Sequence, residues 1–92
     1  MKKLALITGV SGQDGAYLAK FLLDKKYRVV GTDRRSARSS NWRLKRLGIE
    51  NKIIFEEMEL SELYEIQRIF RKYKFNEVYH LAAQSFVKAS FN

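Results

Sequence analysis

Near the start of the 92-residue chain, three glycines stand between an apolar run and a stretch of helical character. The apolar run covers residues 4–7, the glycines are Gly9, Gly12 and Gly15, and the helical stretch covers residues 16–26. Between a strand and a helix, glycines at this spacing permit a tight turn, close approach of backbone to a bound pyrophosphate, and close helix packing. The N–H groups and positive dipole end of the helix then face the anion. The motif predicts a nucleotide-binding turn rather than an ordinary strand–turn–helix connection.

Apolar and amphipathic segments alternate along the rest of the chain. Strands are predicted over residues 3–8, 28–32, 52–56 and 77–82. Helices are predicted over residues 14–25, from a Ser40 or Asn41 cap through Leu47 to a stop at Gly48, from a Ser61 cap to residues 71–74, and from Ser85 onward. The expected buried side chains are Leu18, Phe21 and Leu22 in the first helix and Leu63, Ile66, Ile69, Phe70 and Tyr73 in the third. This alternation predicts an α/β fold, a Rossmann-type parallel sheet with helices on both faces.

No linker or repeat interrupts the pattern, so residues 1–92 are predicted to be one unit, the N-terminal part of a dinucleotide-binding Rossmann domain. In a sheet of strand order 3-2-1-4-5-6 the fourth strand is central and needs a fifth beside it. The chain is therefore expected to be truncated after the fourth strand of a longer protein.

Composition narrows the class of protein. The absence of cysteine excludes disulfides and thiolate metal sites, and no metal site is predicted. No window approaches the ~20 apolar residues of a membrane span, so a cytoplasmic protein is expected. The net charge of +8 is concentrated in the acid-free segment 34–49. That segment is interpreted as a solvated helix face or a phosphate-contacting loop; nucleic-acid binding is not predicted, because no DNA- or RNA-binding motif accompanies the charge.

The end of the second predicted strand bears on the choice of cofactor. An acid at this position bonds the adenosine ribose 2′-OH of NAD, whereas a nearby arginine accommodates the 2′-phosphate of NADP. Asp33 is followed by Arg34, Arg35 and Ser36, so the chain offers both chemistries. Two guanidinium groups and a hydroxyl favour NADP if Asp33 turns away or pairs with an arginine. NAD, favoured by Asp33, and a merely solvated turn remain the alternatives.

Two further strand ends complete the predicted site. Glu59 and Leu60 follow the third strand and are placed beside the adenine, unless Glu59 only precedes a helix start. Small residues after the fourth strand leave room for the ribose and nicotinamide in the crevice there. His80 is the only histidine and is interpreted as a packed residue rather than a catalyst.

The glycine motif together with the distant segment 80–83 resembles the extended short-chain dehydrogenase/reductase family. Within it, segments 12–18, 34–36 and 81–87 are similar to those of the GDP-mannose 4,6-dehydratase family. The resemblance implies a lyase that takes hydride from C4 of GDP-mannose onto NADP, eliminates water across C5 and C6 and returns the hydride to C6. No Tyr-x-x-x-Lys pattern is present, so the catalytic residues are expected outside this chain, which is predicted to be inactive alone.

The resemblance also assigns cofactor contacts. The pyrophosphate would lie on Gly9, Ser11, Gly12, Gln13, Asp14 and Gly15; the 2′-phosphate on Arg34, Arg35 and Ser36; the adenine on Glu59 and Leu60; the nicotinamide side on Leu81, Ala82, Ala83, Gln84 and Ser85. Asp33 departs from the family pattern beside a 2′-phosphate. The family also implies homo-oligomer contacts through the arginine-bearing loop, at Arg35 and Arg38. The alternatives are another sugar-nucleotide epimerase, dehydratase or reductase, and a stand-alone basic nucleotide-binding module.

Overall fold

A computed structural model describes residues 2–33, 42–59 and 61–81. The strands are β1 (Leu4–Thr8), β2 (Arg28–Asp33), β3 (Ile54–Glu57) and β4 (Glu77–His80). The helices are α1 (Gln13–Asp24), α2 (Trp42–Arg46) and α3 (Leu63–Lys72), with a 3-10 turn at Glu50–Lys52. All the strand pairs are parallel, and their order in the sheet is β3-β2-β1-β4. The predicted α/β fold with a Rossmann-type parallel sheet is therefore confirmed.

Helices cover both faces of this sheet. On the first face, Ala5 and Ile7 of β1 and Val29 of β2 pack with α1 and α2; the helix residues buried there are Ala16, Ala19, Leu22 and Leu44. On the second face, Leu6 and Val30 pack against Ile69 of α3. Alternate residues of β1 thus enter opposite cores, which explains why its sequence is a continuous apolar run rather than an alternating pattern.

The buried face of α1 differs from the one predicted. Leu22 is buried and Leu18 packs at the edge of the core, as expected, but Phe21 is 54% exposed. The ammonium group of Lys25 lies 5.0 Å from the centre of the Phe21 ring. The small residues Ala16 and Ala19 take the central buried positions because α1 lies close to the sheet.

The third helix was also predicted only in part. Ile69 is buried and Ile66 and Tyr73 pack against the second core, as predicted, whereas Leu63 and Phe70 are exposed. The N-cap is Glu62 rather than Ser61, and no side chain caps this end of the helix. Ile69 packs over the two inner strands, β2 and β1, so this short helix buries a narrow stripe centred on Ile69 and leaves its flanking apolar residues at the surface.

A carboxylate joins β3 to α3 on this side of the molecule. Glu56 accepts hydrogen bonds from Lys72 Nζ at 2.8 Å and from the Tyr73 hydroxyl at 2.6 Å, and Arg68 Nη1 lies 3.5 Å away. Burial raises the pKa of Glu56, but these hydrogen bonds and the positive charges outweigh it, so its pKa lies below the ordinary value.

Turn chemistry explains two of the boundaries. Gly48 has a φ of +73°, and the Gly48 N–H donates to the Lys45 carbonyl at 3.0 Å, so the predicted stop of α2 is confirmed. The 3-10 turn Glu50–Lys52 occupies the predicted start of the third strand, which delays β3 to Ile54. The predicted caps at Ser40 or Asn41 and the helix from Ser85 lie outside the described residues.

Candidate nucleotide-binding site

The turn between β1 and α1 is fastened to the neighbouring strand. Gly9 has a φ of +72°, a conformation that favours glycine. The N–H groups of Gly9 and Val10 donate to the Thr32 carbonyl of β2 at 2.7 and 3.3 Å, and the Gly12 N–H donates to the Gly9 carbonyl at 3.1 Å. The chain therefore leaves β1 through a tight turn at the carboxyl edge of the sheet.

Gly12 and Gly15 lack side chains for different reasons. A Cβ on Gly15 would lie 2.4 Å from the Gly9 carbonyl oxygen and 2.8 Å from Val10 Cα, so the fold itself excludes a side chain there. A Cβ on Gly12 would meet only the Gly9 carbonyl oxygen, at 3.4 Å, and Gly12 is exposed with a φ of −72°. Gly12 therefore keeps clear a space that the described residues do not fill, as a closely approaching phosphate would require.

The start of α1 supplies donors for an anion. Gly12 is the N-cap and has no side chain, so no side-chain hydrogen bond caps the helix. The first intrahelical bond runs from the Ala16 N–H to the Gly12 carbonyl at 2.9 Å. The N–H groups of the first turn, at Gln13, Asp14 and Gly15, have no helical partner by geometry. The residues present therefore fit a pyrophosphate at this helix terminus.

Asp33, at the end of β2, is turned into the protein beneath the glycine turn. It is 7% exposed, and its Oδ2 accepts the Ser11 N–H at 3.2 Å. Burial raises the pKa of this carboxyl above its ordinary value, and the hydrogen bonds from Ser11 oppose that rise. Ser11 and Asp33 are thus brought together by a bond that the sequence did not reveal. Arg34, Arg35 and Ser36 lie outside the described residues.

Arg43 of α2 is a neighbour of this turn that the sequence analysis did not select. Its Nη1 lies 3.5 Å from the Ser11 carbonyl oxygen, and its guanidinium carbon lies 4.4 Å from the centre of the Trp42 ring. A cleft of about 480 Å³ opens beside it; the residues lining it are Gln13, Tyr17, Trp42, Arg43, Arg46 and Leu47. In the sequence, Arg43 was distinguished only by its place in the basic segment 34–49.

Gly31 was missed as well. A Cβ on this β2 residue would lie 2.6 Å from Val10 Cγ1, so Val10 of the glycine turn packs directly onto the bare backbone of β2. A glycine inside a strand signals such a close approach, which is the sequence feature that would have found it.

The carboxyl ends of β1 and β4 meet at a second hydrogen-bonded contact. The Leu81 N–H donates to Thr8 Oγ1 at 3.0 Å, and His80 Nδ1 lies 3.0 Å from the same oxygen. His80 is an exposed residue whose ring is held against Thr8, rather than a residue packed in the core. Leu81 is thus held at the carboxyl end of β1 and packs against the first core; Ala82, Ala83, Gln84 and Ser85 lie outside the described residues.

Glu59 follows β3 closely and is exposed. Its carbonyl accepts the Glu62 N–H at 3.0 Å in the turn that leads into α3. This hydrogen bond engages only the backbone of Glu59, and the carboxylate lies on the surface. Contact with the adenine and a place merely before the start of α3 are therefore both still alternatives for this side chain. Leu60 is outside the described part of the chain.

A parallel sheet of order β3-β2-β1-β4, with a glycine turn from β1 into α1, defines a Rossmann-type nucleotide-binding unit. It is similar to the crystal structure of the Bordetella bronchiseptica enzyme WbmH in complex with NAD+, with a TM-score of 0.72 and 27% identity over 91% of this chain and 27% of that chain. The GDP-mannose 4,6 dehydratase family model matches residues 6–92. The chain belongs to the GDP-mannose 4,6-dehydratase family.

Relatives agree with this assignment. The chain is 44% identical over 96 residues to a GDP-mannose 4,6-dehydratase of Vibrio cholerae. It is 40% identical over 97 residues to the GDP-mannose 4,6 dehydratase of Homo sapiens. Each alignment covers 99% of this chain and 26% of the relative, so the chain spans about a quarter of the length of these curated relatives.

Within residues 2–33, 42–59 and 61–81, none of the helices has the length and apolar character needed to cross a membrane. In the same ranges, no three His, Cys, Asp or Glu side chains are grouped so as to hold a metal ion.

Proposed function

We propose that this chain forms the dinucleotide-binding part of an enzyme that converts GDP-mannose to GDP-4-keto-6-deoxymannose, with catalytic residues outside the chain. The observation that carries the proposal is the glycine turn. Gly12 keeps a space clear at the start of α1, beside helix N–H groups that have no intrahelical partner. The family relationship supplies the substrate class.

The residues of this chain would bind and orient the cofactor rather than transform the sugar. A bound nicotinamide cofactor supplies the hydride chemistry. The helix N-terminus would hold its pyrophosphate, and the wall formed by Thr8, His80 and Leu81 would flank its nicotinamide half. Ala82, Ala83, Gln84 and Ser85 are proposed to continue that wall.

The activity is tested by expressing the complete reading frame and assaying it with GDP-mannose. We expect formation of the 4-keto-6-deoxy product when the cofactor is bound. Product from another GDP- or UDP-sugar, and none from GDP-mannose, would favour another epimerase, dehydratase or reductase. Dinucleotide binding without turnover of any sugar nucleotide would favour a stand-alone binding module.

NADP is the proposed cofactor. With its Oδ2 bonded to Ser11, Asp33 is turned toward the glycine turn, which lessens its conflict with a 2′-phosphate. Arg34, Arg35 and Ser36 follow directly in the sequence and offer guanidinium and hydroxyl donors for that phosphate.

We predict that the full-length protein binds NADP more tightly than NAD and that Arg35→Ala abolishes the difference. The physical reason is loss of a bidentate phosphate contact, which is made only with NADP. Isothermal titration of both dinucleotides measures this, with Arg71→Ala on α3 as a charge-matched control. Equal dissociation constants in the unaltered protein would contradict the proposed preference.

The arginine-bearing loop is also proposed to join copies of a cytoplasmic homo-oligomer through Arg35 and Arg38. Light scattering of the full-length protein and of Arg38→Ala tests this assembly. A monomeric unaltered protein, or an Arg38→Ala variant that assembles normally, would contradict it.

A further inference from the structure

The guanidinium of Arg43 contacts the glycine turn from the neighbouring helix α2. Arg43 is half-buried on α2, next to Leu44, which is fully buried in the first core. The anchoring of Leu44 fixes the position of the short helix, and the Arg43 guanidinium carbon lies 4.4 Å from the centre of the Trp42 ring. A guanidinium held over an aromatic ring in this way has less freedom to lose on binding an anion.

A chain of contacts places this guanidinium near one part of a dinucleotide. The acid that ends the second strand of such a fold marks the position of the adenosine ribose 2′-oxygen. Asp33 is that acid, its carboxylate bonds the Ser11 N–H, and the Ser11 carbonyl is the group that Arg43 Nη1 approaches. Asp33 and Arg43 therefore contact the same residue of the glycine turn through its two backbone groups.

We infer that Arg43 is a specificity-determining residue whose guanidinium binds the phosphate monoester on the adenosine 2′-oxygen of NADP. This inference rests on the proposed dinucleotide-binding function and adds a residue to it. Asp33, although bonded to the Ser11 N–H, keeps a negative charge near a phosphate placed there, and Arg43, which contacts the other backbone group of Ser11, supplies the compensating positive charge. The planar fork of arginine suits the oxygens of a phosphate monoester.

The contact with Ser11 uses only part of the hydrogen-bonding capacity of Arg43. A guanidinium carries five N–H donors, and the 3.5 Å distance to the Ser11 carbonyl oxygen is at the long end for a hydrogen bond. The cleft beside Arg43, which Gln13 and Arg46 also line, leaves one side of the guanidinium accessible. A residue that only clamped the turn would be expected to make a shorter contact.

The test compares NADP and NAD, which differ only in the 2′-phosphate, on the full-length protein. Arg43→Ala is expected to raise the dissociation constant of NADP about tenfold or more, which corresponds to roughly 1.4 kcal/mol, and to change that of NAD less than about twofold. Lys45→Ala, which removes an exposed charge from the same helix, is the matched control and is expected to change neither. Arg43→Lys, which keeps the charge without the fork, is expected to retain part of the NADP affinity.

The outcomes separate this inference from the function on which it rests. An unaltered protein that binds neither dinucleotide would overturn the proposed function itself. Normal NADP binding by Arg43→Ala would overturn the inference alone. Equal weakening of NADP and NAD would also overturn it, since Arg43 would then act only as a clamp on the turn. Thermal unfolding confirms that each variant is folded; if Arg43→Ala is not, the same comparison is made with Arg43→Lys, whose unchanged NADP-to-NAD ratio would contradict the role of the fork.

Discussion

At the scale of single residues, the fold requires Gly15 to lack a side chain, whereas Gly12 is proposed to lack one because of the bound cofactor. The space beside Gly12 is open, whereas that beside Gly15 is filled by the backbone of Gly9 and Val10. Substitutions at these two positions should therefore affect different measurements, although the sequence motif treats them alike.

We predict that Gly12→Val raises the dissociation constants of NADP and NAD about a hundredfold or more, because its side chain would occupy the space of the pyrophosphate. The melting temperature should change little, since Gly12 is exposed and its φ of −72° suits any residue. Titration calorimetry and thermal unfolding of the full-length protein measure the two effects. Gly15→Ala is the contrast and should lower the melting temperature markedly. Retained binding by Gly12→Val would show that this turn does not hold the phosphate.

At the scale of elements, the sequence predicted whether each segment is a strand or a helix more accurately than it predicted which side chains are buried. The existence and order of the four strands follow from apolar runs, and the end of α2 follows from Gly48; both are local signals. The exposure of Phe21, Leu63 and Phe70 depends on which side of each helix faces the sheet. Periodicity cannot carry that information, because it describes one helix and not its neighbour.

The link between β3 and α3 should depend on pH. The pKa of Glu56 is lower in the folded protein than its ordinary value of 4.5. Its stabilising contribution is therefore present above the unfolded pKa and is lost as the pH falls through the folded one. Glu56→Gln should lower the melting temperature by a few degrees at pH 7, with the difference from the unaltered protein shrinking below pH 4.5. Thermal unfolding across that range measures it; a difference that grows on acidification would contradict the assigned pKa direction.

At the scale of the whole molecule, the position of each strand in the sheet predicts how strongly it resists local unfolding. Within the described residues, β1 is paired on both sides, with β2 and with β4, whereas β3 is paired only with β2. Both faces of β1 are also buried, in the two separate cores. Opening β1 therefore requires disruption of most of the described structure.

We predict that the backbone amides of residues 5–8 exchange with deuterium more slowly than those of β3. Hydrogen exchange with mass spectrometry on the full-length protein measures this ranking. Addition of NADP should slow exchange further in residues 9–15, while exchange in α3, on the opposite face, provides the internal control. Faster exchange in β1 than in β3 would contradict the described strand order.

The backbone motif of the candidate site could be predicted from the sequence, whereas its long-range side-chain contacts could not. The spacing of Gly9, Gly12 and Gly15 predicted the turn, since conformation and clearance are properties of glycine itself. The contacts made by Ser11 with Asp33 and with Arg43 join residues distant in sequence. They depend on how β2 and α2 lie around the turn, and no local pattern encodes that arrangement.

The bonds that fasten the glycine turn to β2 also bear on the thermodynamics of binding. The Thr32 carbonyl and the Asp33 carboxylate hold the turn through hydrogen bonds made within the protein. Its conformational entropy is therefore lost when the protein folds, not when the anion arrives, and the turn is preorganised. Association should then need little rearrangement of the backbone, so that substitutions which loosen this attachment weaken binding even where they leave every contact with the ligand in place.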